Sequence, residues 1–179
     1  GQGYMLATPL QLAVMTARLC NGGHEVHPWF VRGPDSHVAE GRGTPPVSLG
    51  LDPVQLRWVV QGMIEVVNGK RGTARQARLE DPAVLLAGKT GTAQVRRITK
   101  AERASGAHKR RDRPWNERDH ALFVCYAPVE QPRFAVAVVV EHGESGAKTA
   151  APIARDITAK ALEIDPRPFR PDVVAQGRS

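Results

Sequence analysis

The sequence predicts an α+β domain with an antiparallel sheet, three strands in this chain, covered by helices. Three observations carry that prediction. Two segments in the first half have helical periodicity between clear start and stop signals, two adjacent apolar runs at 120–127 and 133–142 are separated by a turn, and a helical stripe closes the chain.

The first helix is predicted over residues 7–23, ATPLQLAVMTARLCNGG. Thr8 is the N-cap, Pro9 takes the first helical position, Gln11 closes a capping box, and Asn21-Gly22-Gly23 is the stop. Residues 51–69 repeat the device with Asp52, Pro53 and Gln55, and Leu56, Val59, Val60, Met63 and Val67 fall on one face as core. Between them, residues 24–50 are rich in Gly and Pro and read as an irregular connection with a short strand at 29–32. His24 and His27 lack further partners at metal spacing and read as loop histidines, so no metal and no cofactor is predicted.

A strand then runs through AVLLAGKTGTAQV, residues 83–95. The segments 120–127 and 133–142 form a hairpin around Pro128-Val129-Glu130-Gln131-Pro132. In the second hairpin strand Phe134, Val136, Val138 and Val140 share one face and Ala135, Ala137 and Val139 the other. Apolarity on both faces predicts that this strand is central. The closing helix begins within 147–152 and presents Ile153, Ile157, Ala161 and Ile164 as its apolar stripe, and the Pro-rich tail 165–179 reads as disordered.

Lys and Arg total 25 against 18 acidic residues, net +7. Residues 96–119 hold nine basic and four acidic side chains, an excess of five, so most of the charge sits in one loop. Trp115 is its one aromatic residue, which leaves no stacking platform for single-stranded nucleic acid. The segment reads as a solvated, mobile loop, and no nucleic-acid partner is predicted. Cys20 and Cys125 stand in apolar surroundings outside any Cys-x-x-Cys spacing and read as buried thiols. The sequence has no apolar run near 18 residues and no signal peptide.

Gly88-Lys89-Thr90 matches the end of a phosphate loop. That motif needs a glycine where Ala83 stands and a helix after the lysine, whereas here the segment stays small and β-branched. Two glycines inside a strand instead mark a place where a ligand approaches the backbone.

Gly1-Gln2-Gly3, Thr8-Pro9-Leu10-Gln11, Gly72-Thr73-Ala74 and Lys89-Thr90-Gly91-Thr92-Ala93-Gln94, in this order, resemble the transpeptidase domain of class B penicillin-binding proteins. The segment Arg118-Asp119-His120-Ala121 to Ala127-Pro128 after a long basic loop resembles the elongation type, penicillin-binding protein 2. The resemblance implies acyl transfer between peptidoglycan stem peptides, with β-lactams as inhibitors. It implies that Lys89 brings positive charge to the substrate carboxylate and that Thr90 and Thr92 offer it hydroxyls. Gly91 would let substrate lie against the strand, and the Thr92 amide would be one of two oxyanion donors. Lys89 and Thr92 are thus the expected catalytic residues, and Thr90, Gly91 and Thr92 the expected substrate-binding ones.

The same resemblance makes residues 1–164 the C-terminal portion of a transpeptidase domain, helical over 1–82 and built of strands with a closing helix over 83–164. The family's Ser-x-x-Lys and Ser-x-Asn precede Gly-Gln-Gly. Here no Ser-x-Asn occurs, and one Ser-x-x-Lys, Ser145 to Lys148, falls after Lys-Thr-Gly, a chance match. The nucleophile is therefore expected in a missing N-terminal half of the domain. Other implied partners are cell-elongation proteins, and the implied location is the periplasmic face of the bacterial inner membrane, with the anchor outside this chain. A non-catalytic β-lactam-sensing or interaction domain of the same fold is the alternative, and a nucleotide-binding protein the second.

Overall fold

The computed structural model describes residues 5–28, 47–96, 99–106 and 114–164. The 29–32 strand, the tail from 165 and the Gly1-Gln2-Gly3 motif lie outside the described residues.

Helix α1, Pro9–Cys20, begins as its capping residues dictate. Thr8 Oγ1 accepts from the Gln11 N–H at 3.2 Å and Gln11 Oε1 accepts from the Thr8 N–H at 2.8 Å. Gly22 and Gly23, both at positive φ, turn the chain away after Asn21. Helix α2, Pro53–Asn68, starts at Asp52, whose Oδ1 accepts from the N–H groups of Val54 and Gln55 at 2.7 and 3.3 Å. Between the helices His24 bridges Ser48. A 3₁₀ turn at Arg75–Ala77 follows α2.

Strands β1 (Ala87–Ala93), β2 (His120–Ala127) and β3 (Phe134–Val140) form one antiparallel sheet in the order β1-β2-β3. The strand predicted over 120–127 is thereby observed residue for residue. Among the described residues β2 lies between β1 and β3, and β3, whose apolarity predicts a central strand, has no described strand on its far side. Both faces of β3 are covered, by α1 on one side and by helix α4, Ala151–Ile164, on the other.

The register sorts the core into two layers. Ala121, Phe123 and Cys125 of β2 lie opposite Val140, Val138 and Val136 of β3, and this face packs on Ala151, Ala154 and Leu162 of α4. Tyr126 with Ala87 and Ala135 forms the other face, against Val60, Met63 and Ile64 of α2 and Leu19 and Cys20 of α1. Buried Phe123 and Tyr126 each contribute about 2–3 kcal/mol of apolar burial. Buried Thr16 and Thr158 return their hydroxyls to the carbonyls four residues back, Leu12 and Ala154, at 2.8 and 2.7 Å.

Helix α4 buries Ala151, Ala154 and Thr158, while Ile153, Ile157 and Ile164 are exposed. The expected isoleucine stripe is corrected to a stripe of small residues, which brings the helix closer to the sheet than branched side chains permit. On α2, Met63 and Val67 are buried as expected but Val59 is exposed. The basic segment contains a short helix α3, Lys100–Ser105, and a 3₁₀ turn at Trp115–Glu117, so it is not loop throughout. Residues 97–98 and 107–113 lie outside the described residues. No described helix is long and apolar enough to cross a membrane.

Cys20 and Cys125 are both free, and burial pushes each thiol up from 9.0 to about 11. At pH 8 only about one thiol in a thousand is then the reactive thiolate. A disulfide reagent is expected to label the folded chain slowly at pH 8 and faster toward pH 11. Unfolding in guanidinium should release two titratable thiols. Because the folded values are raised, the thiols' contribution to stability is complete below about pH 9 and lost as pH climbs toward 11. Rapid two-thiol labelling of the folded chain at pH 8 contradicts this packing.

Candidate active site

β1 is held to the body of the chain by α2 and the loop that follows it. Asn68, last residue of α2, donates from Nδ2 to Leu86 O at 2.9 Å, at the entrance of β1. Arg78 donates from Nε to Val67 O at 3.0 Å and from Nη2 to Asn68 O at 2.9 Å, closing carbonyls that the helix end leaves without partners. Gly72, in the Gly72-Thr73-Ala74 segment, makes this return possible. A Cβ there would sit 2.5 Å from Val66 O.

β1 pairs with β2 from Ala87↔Tyr126 through Ala93↔His120 and has no strand on its other side among the described residues. The strand, not the helix that a phosphate loop needs, continues past Lys89 to Ala93. An edge of this kind presents N–H and C=O groups of alternate residues, a template for an added extended segment.

Strand alternation puts Lys89 and Gly91 on the face of Val124 and Leu122, and Thr90 and Thr92 on the face of Phe123 and Ala121. The lysine and the two hydroxyls therefore approach an occupant of the edge from opposite faces. Lys89 is exposed, and its Nζ donates to the neighbouring Thr90 carbonyl at 2.8 Å. Thr90, Gly91 and Thr92 are half-buried.

The two glycines of the strand have different causes. A Cβ at Gly88 would lie 2.5 Å from Phe123 Cζ and 2.7 Å from Val124 O, so the core itself demands this glycine. A Cβ at Gly91 would meet only Leu122 Cβ, at 3.3 Å. The expectation that both mark a ligand's approach is corrected: Gly88 is a packing residue, and Gly91 keeps the ligand reading.

Behind β1 lies a feature the sequence did not announce. The connection from β3 to α4 enters a π-helical turn, Gly146–Ala150, and buried Gly146 abuts the sheet backbone. A Cβ on Gly146 would be 2.4 Å from Leu122 O and 2.7 Å from Gly91 O. The approach carries two non-glycine residues at positive φ, His142 at 54° and Glu144 at 61°, a conformation costing about 1–2 kcal/mol each. Segment 118–120 braces them. Glu144 N–H donates to Asp119 O at 2.8 Å, His142 N–H to His120 Nδ1 at 2.9 Å, and His142 Nδ1 meets Arg118 O at 2.9 Å. Trp115 packs tilted against the His142 ring, centroids 4.2 Å apart and planes at 56°.

Ser145 Oγ accepts from the backbone N–H of Lys148 at 3.2 Å, and the Lys148 side chain is exposed. The Ser-x-x-Lys match is thus the cap of the π-turn. His24 Nδ1 contacts Asn21 O at 3.0 Å and His27 pairs with Glu25 at 3.2 Å, local contacts that fit loop histidines.

The family model described as "Penicillin binding protein transpeptidase domain" matches residues 1–159. The peptidoglycan D,D-transpeptidase MrdA of Haemophilus influenzae is 36% identical over 160 residues, covering 88% of this chain and 24% of the relative. The Helicobacter pylori PBP2 structure, a complex with MreC, superposes with a TM-score of 0.71 at 30% identity, covering 93% of this chain and 27% of that one. Penicillin-binding protein A from M. tuberculosis, as an imipenem acyl-enzyme complex, gives 0.61 at 27% identity, covering 90% and 32%. The chain therefore spans about a quarter of the length of the curated relative.

The contrast between the glycines is measurable. Gly88→Ala is expected to destabilise the chain by about 1–3 kcal/mol through overpacking against Phe123, with some of the loss recovered in the double variant Gly88→Ala, Phe123→Leu. Gly91→Ala is expected to cost under about 1 kcal/mol. Denaturant melts followed by circular dichroism read these differences, and equal losses at the two glycines contradict the distinction.

Proposed function

The chain belongs to the penicillin-binding protein transpeptidase family, and from that premise we propose that it is the C-terminal portion of an elongation-type peptidoglycan D,D-transpeptidase. The observation that carries the reading is β1 itself: an edge strand paired on one side, with Lys89, Thr90, Gly91 and Thr92 along it and Gly91 free of any strong packing demand. A stem peptide or a β-lactam lies along that edge as an added strand. Lys89 attracts its carboxylate from one face, and the Thr90 and Thr92 hydroxyls bond it from the other. The Thr92 amide stabilises the oxyanion as a serine oxygen attacks the carbonyl. The amide C–N bond then breaks, the amine leaves with a proton, and a second stem-peptide amine later displaces the serine.

The serine and its lysine come from a segment outside residues 1–179, since Ser145 is spent as a cap. The acyl-enzyme formed by the similar M. tuberculosis protein supports this chemistry. The upstream half of the domain docks on apolar surface that this chain leaves open, including Trp58, 74% exposed, Val54 and Val59 on α2. The H. pylori complex with MreC supports cell-elongation proteins as partners. The periplasmic face of the inner membrane is the site of action. The proposed divisions are a helical region over 1–82, a strand-and-helix region over 83–164 and a tail over 165–179.

In the full-length protein, Lys89→Ala is expected to slow acylation by a fluorescent penicillin by about two to three orders of magnitude with little change in melting temperature. Wild-type acylation in that variant removes Lys89 from the site. The chain of 179 residues alone is expected to form no covalent adduct with penicillin by intact mass spectrometry. An adduct on Ser145 overturns the assignment of the nucleophile to another segment.

A further inference from the structure

The oxyanion reading above requires the Thr92 amide to be held still, yet the open side of β1 carries no described strand. β2 on its paired side and the turn behind the sheet both bear on it. Both routes meet at His120. It is paired with Ala93, the residue after Thr92, and it starts the strand whose Leu122 lies opposite Gly91. Its Nδ1 also receives the His142 N–H at 2.9 Å. A backbone N–H can only donate, so Nδ1 is unprotonated and the ring proton sits on Nε2. His142 Nδ1 faces the Arg118 carbonyl, which can only accept, so His142 carries its proton on Nδ1.

The two rings meet edge to face, 4.9 Å between centroids, and Trp115 also packs against His142. The hydrogen bond lies at the first of the two positive-φ residues, His142, four residues before Gly146. Without an acceptor at the Nδ1 position, the left-handed conformation at His142 loses the one brace on its own N–H, and the turn relaxes against the contacts to Arg118 and Asp119 that remain. Gly146 stands against Gly91 O and Leu122 O with no room for a methyl group, so a shift of the turn passes straight to the Gly91–Thr92 peptide.

We propose that His120 is a positioning residue for acyl transfer: through its unprotonated Nδ1 it holds the His142–Gly146 turn, and Gly146 in turn sets the Gly91–Thr92 peptide that carries the oxyanion donor. The proposal rests on the reading of β1 given under Proposed function. His120 touches no substrate. Its effect falls on the rate constant of acylation and leaves the initial affinity for the β-lactam unchanged, because the oxyanion forms only as the serine attacks.

The test uses the full-length protein with a fluorescent penicillin, separating initial binding from acylation by saturation kinetics. His120→Ala is expected to lower the acylation rate constant about tenfold, the effect of one lost neutral hydrogen bond, with initial affinity within threefold. His120→Asn, whose amide oxygen falls near Nδ1, is expected to restore acylation to within threefold of wild type. His120→Gln, whose amide reaches toward Nε2, is expected to behave like Ala. A structural role alone predicts no such ranking, since Asn and Gln lose the same ring stacking. If His120→Ala does not fold, the Asn and Gln variants decide, and equal rates for those two overturn the proposal. Lys89→Ala is run alongside: slow acylation there, with all His120 variants at wild-type rates, overturns the positioning role alone. Unchanged acylation in Lys89→Ala overturns the reading of β1 itself.

Discussion

Everything in this molecule is arranged around the burial of β2. Ala121, Phe123, Cys125, Tyr126 and Ala127 are almost completely withdrawn from solvent, so each backbone N–H and C=O of the strand needs a protein partner. β1 and β3 supply those partners on its two sides, and α1, α2 and α4 cover its two faces. β1 is thereby fixed along one side by a rigid neighbour, while its other side carries no strand among the described residues. An isolated edge strand would fray; one zipped to a buried strand over seven residue pairs has a defined register.

The proposed site owes its geometry to small residues more than to the polar ones it displays. Gly88 admits Phe123, Gly146 admits the backbone of Gly91 and Leu122, and Ala150, Ala151 and Ala154 let α4 lie close on the sheet. Close-packed interiors transmit displacement because no void absorbs it. A strand backed in this way is held stiff by the small residues around it, with Lys89 exposed and Thr90 and Thr92 half-buried along it.

The surface away from the sheet has a different character. Trp58 and Val59 on α2 and Ile157 and Ile164 on α4 are large, apolar and exposed. Among relatives that this chain matches over about a quarter of their length, such surface fits contacts with the remainder of a larger body. The isoleucines of α4 show why their periodicity misled. A helix can carry two apolar stripes, and hydrophobic spacing does not say which faces the sheet.

The local elements were legible in the sequence because their causes are local. Thr8, Pro9 and Gln11, or Asp52 and Pro53, satisfy helix-end donors within four residues of themselves. The residues 120–127 contain no breaker and stand between turn formers. The candidate strand was legible too, because Lys89-Thr90-Gly91-Thr92 is a specific string whose family pattern exceeds its local propensity. Hidden from the sequence were the central place of β2, the inward face of α4, the packing demand at Gly88, and the brace of His120 and His142 under Gly146. Each depends on atoms brought together from distant positions: Gly88 meets Phe123, Gly146 meets Gly91, and His142 meets His120. Local propensity fixes dihedral angles a few residues at a time. Which backbone leaves no room for a Cβ on which glycine is decided only when the chain closes on itself, because steric exclusion acts through space and carries no mark in the intervening sequence.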